Sequence, residues 1–152
     1  MAWVQVGTQT TTKTWGSAPP ISCKWVITAY RDDQTNDLKI NGTLSATYVS
    51  GYFGYNITWG SWVISDANMK SGTLKGNTPN TWTTVSASQE WSLGQNSSTS
   101  ILCAASFASN SGRDALHLSV TLPTPLIVQE EEEEEITDVF GEEITGAFAN
   151  GI

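Results

Sequence analysis

Acid–base or nucleophilic chemistry at neutral pH needs groups that titrate there or a metal that creates one. The 152-residue chain has one histidine, His117, and two cysteines, Cys23 and Cys103. A Ser-His-Asp relay would have to use His117. Leu116, Leu118, Val120 and Leu122 alternate with His117, Ser119 and Thr121, so strand phase puts the imidazole on a polar face. There is no Gly-x-Ser-x-Gly elbow to present a nucleophile. Zinc needs a cluster of His and Cys, which one histidine and two distant cysteines do not supply. Asp33-x-Thr35-x-Asp37 opens like a calcium loop but lacks its glycine at the sixth position and its glutamate at the twelfth. The expectation is a protein without catalytic residues, metal or cofactor.

The cysteines fall in phase with apolar residues, Cys23 with Trp25 and Cys103 with Ile101. That pattern predicts two free, buried thiols, with a cross-sheet disulfide as the rival. Three sequons occur, at Asn41, Asn56 and Asn96. The N-terminus, Met1-Ala2-Trp3-Val4-Gln5-Val6, has no basic n-region or apolar h-region, so the sequons are read as unmodified.

Aromatic residues are the other source of binding chemistry. Of the seven tryptophans, Trp25, Trp59 and Trp91 share phase with aliphatic neighbours and are expected in the core. Trp15, Trp62 and Trp82 lie near turns or a phase flip and are the candidates for exposed contact. Exposed rings can stack on a glycan or form a subunit contact. The second is preferred because interfaces concentrate Trp and Tyr.

The elements that carry these residues are strands. Thr, Ser, Asn and Gly abound while Lys and Arg total only seven, which suits strands and turns. Ile21, Cys23, Trp25 and Ile27 alternate, as do Leu38, Ile40, Leu44, Ala46 and Tyr48, with a bulge expected at Asn41-Gly42. Ile57 and Trp59 hold one phase and Trp62 and Ile64 the other, which predicts a second bulge at Gly60-Ser61. Val85, Ala87, Trp91 and Leu93 share a phase broken at Gln89, and Ile101, Cys103, Ala105 and Phe107 share another. Seven or eight short strands with a turn every ten or so residues predict an all-β, Ig-like antiparallel β-sandwich over residues 1–125.

Charge divides the chain at the same boundary. Residues 1–125 hold seven basic and six acidic residues, net +1, while 126–152 hold nine acidic and no basic ones. Neither part has the basic stripe of a nucleic-acid binder, and no apolar run is long enough for a membrane helix. Glu130 to Glu135 reads as an extended acidic tether. Beyond it Ile136, Val139, Phe140, Ile144 and Phe148 fall close to one helical face. An apolar stripe on an acidic tether reads as a docking arm for a neighbouring subunit.

Residues 21–123 resemble β-sandwich modules of minor structural and tail-tip proteins of long-tailed bacteriophages. The resemblance is carried by Tyr55-Asn56-Ile57-Thr58-Trp59, by Trp82-Thr83-Thr84-Val85 and by the closing Leu118-Ser119-Val120-Thr121-Leu122-Pro123. It implies a non-enzymatic virion component, a tail or capsid-decorating subunit. Such a chain is built in the bacterial cytoplasm and assembles with copies of itself and other virion proteins. The alternative is a carbohydrate-binding sandwich that recognises a host surface glycan through Trp62 or Trp82.

Overall fold

Alternating runs become strands, and among the described residues eight of them form two layers. In order they are β1 (Trp3–Trp15), β2 (Ile21–Asp32), β3 (Leu38–Val49), β4 (Asn56–Val63), β5 (Lys70–Lys75), β6 (Trp82–Gly94), β7 (Ser100–Ser109) and β8 (Leu116–Pro123). They are seen in a computed structural model that describes residues 2–15, 21–49, 56–64, 69–75, 82–109 and 114–129, with the backbone alone at 48, 49, 82 and 83. The docking-arm positions 136–148 and the Trp82 side chain lie outside that description.

The strands pair antiparallel into a first sheet, β1-β2-β3-β6, and a second, β5-β4-β7-β8. The sheets stack as an all-β sandwich, the architecture expected from the alternation. Between them lies one core, in which Trp25, Trp91, Phe107, Ile27, Ile40 and Leu44 are fully buried. Burying side chains of this size contributes roughly 1.5–3 kcal/mol each before entropy is subtracted. Gly42 occupies a core position where a Cβ would stand 3.1 Å from the Trp25 indole nitrogen and 3.2 Å from a ring carbon of Trp91. Two tryptophans thus fit across one layer because the strand between them has no side chain there.

Neither expected bulge exists. The β2–β3 register runs unbroken through Asn41-Gly42, and β4 pairs without a shift with both β5 and β7. Ile57, Trp59, Ser61 and Val63 therefore all point inward, and the flip inferred at Gly60-Ser61 is a polar residue at a core position. Ser61 is fully buried, and its hydroxyl donates to Gln89 Oε1 across the sheets at 3.0 Å. The two breaks in apolar phase, one per sheet, are the two ends of one hydrogen bond. The register shifts that do occur lie between Gln5 and Gly7 in β1 and between Leu38 and Lys39 in the β3–β6 pairing.

Candidate functional site at the tail-exit end

At one end of the sandwich the β2–β3 turn, the β6–β7 turn and the chain leaving β8 are all tied to Arg31. Its position continues the core phase of β2 after Ala29, and its side chain is fully buried. The guanidinium donates from Nη1 to the carbonyls of Asn36 (2.7 Å) and Asn96 (2.5 Å), and from Nη2 to those of Ser98 and Thr124 (both 2.9 Å). Its hydrogen-bond partners among the described residues are backbone carbonyls, and Nε has none. Burial pulls its pKa below the ordinary guanidinium value. Arginine suits this place because its planar fork satisfies several acceptors at once.

Beside it the chain reverses through Asp32–Asp37. Asp32 Oδ1 accepts the backbone N–H groups of Gln34 (2.8 Å) and Thr35 (3.0 Å), which lowers the pKa of its carboxyl. The turn therefore gains stability while that carboxylate is ionised and loses it as the pH falls through the lowered folded value. Asn36 takes a left-handed φ of 63°, which asparagine tolerates. Its side-chain amide then pairs with the backbone of Ile127, donating to the carbonyl at 2.9 Å and accepting the N–H at 2.8 Å. Gln129 Nε2 donates to the Asp33 carbonyl, and Ala2 exchanges hydrogen bonds with Asp33. The acidic tail thus leaves from a fixed point on the first-sheet side of this end.

The same end gathers the exposed apolar side chains. On the second sheet they are Ile64, Met69 (55% exposed) and Leu102 (54%); at the exit they are Leu126 and Val128; at the start of β1 they are Trp3 (46%) and Val4. These are the exposed large hydrophobic residues among those described. Trp62, half-buried, faces outward on β4 with Gly60 and stands opposite Ala104 of β7. The Met69 methyl lies over Gly60, where a Cβ would meet it at 2.8 Å, and the Ile64 N–H bonds the Leu102 carbonyl at 3.1 Å. Ile64 has φ of 55°, a left-handed conformation that β-branched residues avoid. Trp62, Ile64, Met69 and Leu102 form one apolar patch on the outside of the second sheet.

The outside of the first sheet is different. Register places Thr8, Thr28, Asn41 and Glu90 in one cross-strand row and Thr10, Val26, Thr43 and Ser88 in the next. Thr12, Lys24, Ser45 and Ser86 follow, then Thr14, Ser22, Thr47 and Thr84. Hydroxyls pair across strands at Thr8–Thr28 (3.2 Å), Thr43–Ser88 (3.1 Å) and Thr47–Thr84 (2.8 Å). At the edge of this face, Lys39 Nζ sits 4.3 Å from the Trp3 ring centroid and 5.6 Å from that of Tyr30.

The residues singled out for chemistry end up apart. Trp15, expected to be an exposed contact, is only 7% exposed and belongs to the core. Its indole N–H donates to the Asp114 carbonyl at 2.6 Å. His117 is exposed opposite Ser106 on the second sheet. Cys23 and Cys103 are free and buried, and burial pushes both thiols up to about 12. Among the described residues no three His, Cys, Asp or Glu side chains could hold a metal ion. Sequence reasoning missed Arg31, whose signal was its place in the core phase of β2. It also missed the patch, because the grouping of Met69 and Leu102 with Trp62 depends on register. No protein-family model, curated protein or solved structure matches this chain.

Proposed function

We propose that the protein is a non-enzymatic structural subunit, a phage tail or capsid-decorating component, that assembles with copies of itself or with other virion proteins. One observation supports the assembly part: the exposed large apolar side chains collect at the end from which the acidic tail departs. Contiguous exposed apolar surface commonly marks an interaction site. The virion part, and assembly in the bacterial cytoplasm, rest on the resemblance of residues 21–123. Deleting residues 129–152 is expected to leave a folded sandwich that assembles poorly, as followed by circular dichroism and sedimentation velocity. Equal assembly by the shortened chain would remove the tail from the interface.

A second reading, recognition of a host surface glycan, draws on a different feature. Trp3 is exposed at the edge of a flat face of hydroxyls, although Lys39 covers one side of its ring. Binding to host cell-wall polysaccharide that Trp3→Ala abolishes would favour this reading. Binding that survives the change would separate the glycan from this face.

A further inference from the structure

We propose that the tail of one copy docks on the second sheet of another: the acidic run Glu130–Glu135 lies along the edge of β5 that no described strand pairs, and the apolar arm covers Trp62, Ile64, Met69 and Leu102. This rests on the assembly reading above and names the surface it uses.

Charge supports this surface. β4, β5, β7 and β8 contain no Asp or Glu, and β5 carries Lys70 at one end and Lys75 at the other, both exposed. β5 is an edge strand of six residues, and the glutamate run is also six residues. An extended run of that length spans about 20 Å at 3.3–3.6 Å per residue, and β5 itself has a comparable span. Glutamates beside that edge face lysines at both ends. A chain running along it satisfies the unpaired backbone groups of an edge strand. The arm begins at Ile136, directly after the run, so a run that finishes at Lys70 delivers Ile136 to Met69 and the patch beside it. Ile136, Val139, Phe140, Ile144 and Phe148 supply the apolar surface that the patch lacks.

A second copy is the occupant because of where the tail starts. Asn36 and Gln129 hold the exit against the turn of the first sheet, whereas the patch faces outward from the second. Reaching its own patch would require the tail to reverse over the sandwich end, which six successive like charges resist. A neighbour needs no reversal.

The test uses the full chain. A photo-crosslinking phenylalanine analogue at position 140 is introduced into isotopically heavy protein, which is mixed with light protein, activated and mapped by mass spectrometry. The expected products join heavy residue 140 to light peptides from 56–75 or 100–109. In parallel, Met69→Asp with Leu102→Asp is expected to weaken self-association at least about tenfold, since charges at the centre of an apolar contact are costly. Lys70→Glu with Lys75→Glu should weaken it less and reduce its salt dependence. The control Thr10→Asp with Thr43→Asp places equal charge on the first sheet and should leave association unchanged. Crosslinks confined to one isotope mean that the tail covers its own sandwich, and overturn the proposal, as do crosslinks to the first sheet. Oligomers that persist unchanged in the Met69/Leu102 variant overturn the docking surface but leave assembly standing. A protein monomeric at all concentrations removes both.

Discussion

Outside the first sheet, four strands set Thr and Ser side chains beside one another over four cross-strand rows, broken by Lys24, Val26, Asn41 and Glu90. Outside the second, near the tail exit, the same alternation presents Trp62, Met69 and Leu102. Both faces lie on one core and share its period of two, so fold does not account for the difference. Thr and Ser stiffen a strand, hydrogen-bond locally and remain wetted, which suits a face that stays in solvent. Large apolar side chains on an outer face add nothing to the core they turn away from. On the first sheet the exposed large apolar side chains, Trp3 and Val4, stand at its edge, where Lys39 covers one side of the Trp3 ring. Ile64 sharpens the contrast, because a β-branched residue in the left-handed region costs roughly 1–2 kcal/mol and asparagine would fit better.

The largest effect is expected where the two sheets are joined. Arg31→Met would take the guanidinium donor from the carbonyls of Asn36, Asn96 and Thr124 at the end that carries the patch, while the Ser98 carbonyl keeps the Thr124 hydroxyl, and a buried acceptor left unsatisfied costs about 1–3 kcal/mol. A corresponding loss of unfolding free energy, seen as a lower urea midpoint at constant slope, is the expected result. A change under about 1 kcal/mol would mean that water replaces the guanidinium. Next is the bond across the core. Ser61→Ala should cost about 1–3 kcal/mol by leaving Gln89 unsatisfied, while Ser61→Ala with Gln89→Leu should recover part of it. A double-mutant cycle with no coupling would show that the two positions act separately.

Ile64→Asn should have the opposite sign, stabilising the sandwich by about 1 kcal/mol while reducing the apolar patch. Higher thermal stability with weaker self-association would separate what the residue does for folding from what it does for contact. Lower stability would show that Ile64 packs within its own subunit. The smallest effect belongs to the hydroxyl face, where Thr12→Val should stay within about 0.5 kcal/mol and leave association untouched. A large loss of association there would reverse the roles assigned to the two faces.

The sequence makes the strands and most of the core legible because alternation is a local signal. Ile21 to Ala29, Leu38 to Ala46 and Ile101 to Phe107 lie where their phase put them. What was misread depended on contacts distant in sequence. Ser61 looked like a bulge because its partner is Gln89, and Trp15 looked exposed because its acceptor is the carbonyl of Asp114. Arg31 stood in the core phase, but its four acceptors are backbone groups that no residue type announces. The patch was half-legible. Trp62 was marked as a contact residue, yet only register reveals that Met69 and Leu102 share its surface.

The acceptors of Arg31 sit at positions 36, 96, 98 and 124. During synthesis the chain reaches them over a long interval, and the first three strands emerge well before the last acceptor. A nascent chain ending before Thr124 has an arginine aimed at its core and an incomplete set of carbonyls to receive it. Burying that charge is unfavourable until the network closes, so the growing chain is held back from settling into a partial sandwich. The guanidinium thereby couples final consolidation of the fold to the presence of every segment that supplies its carbonyls.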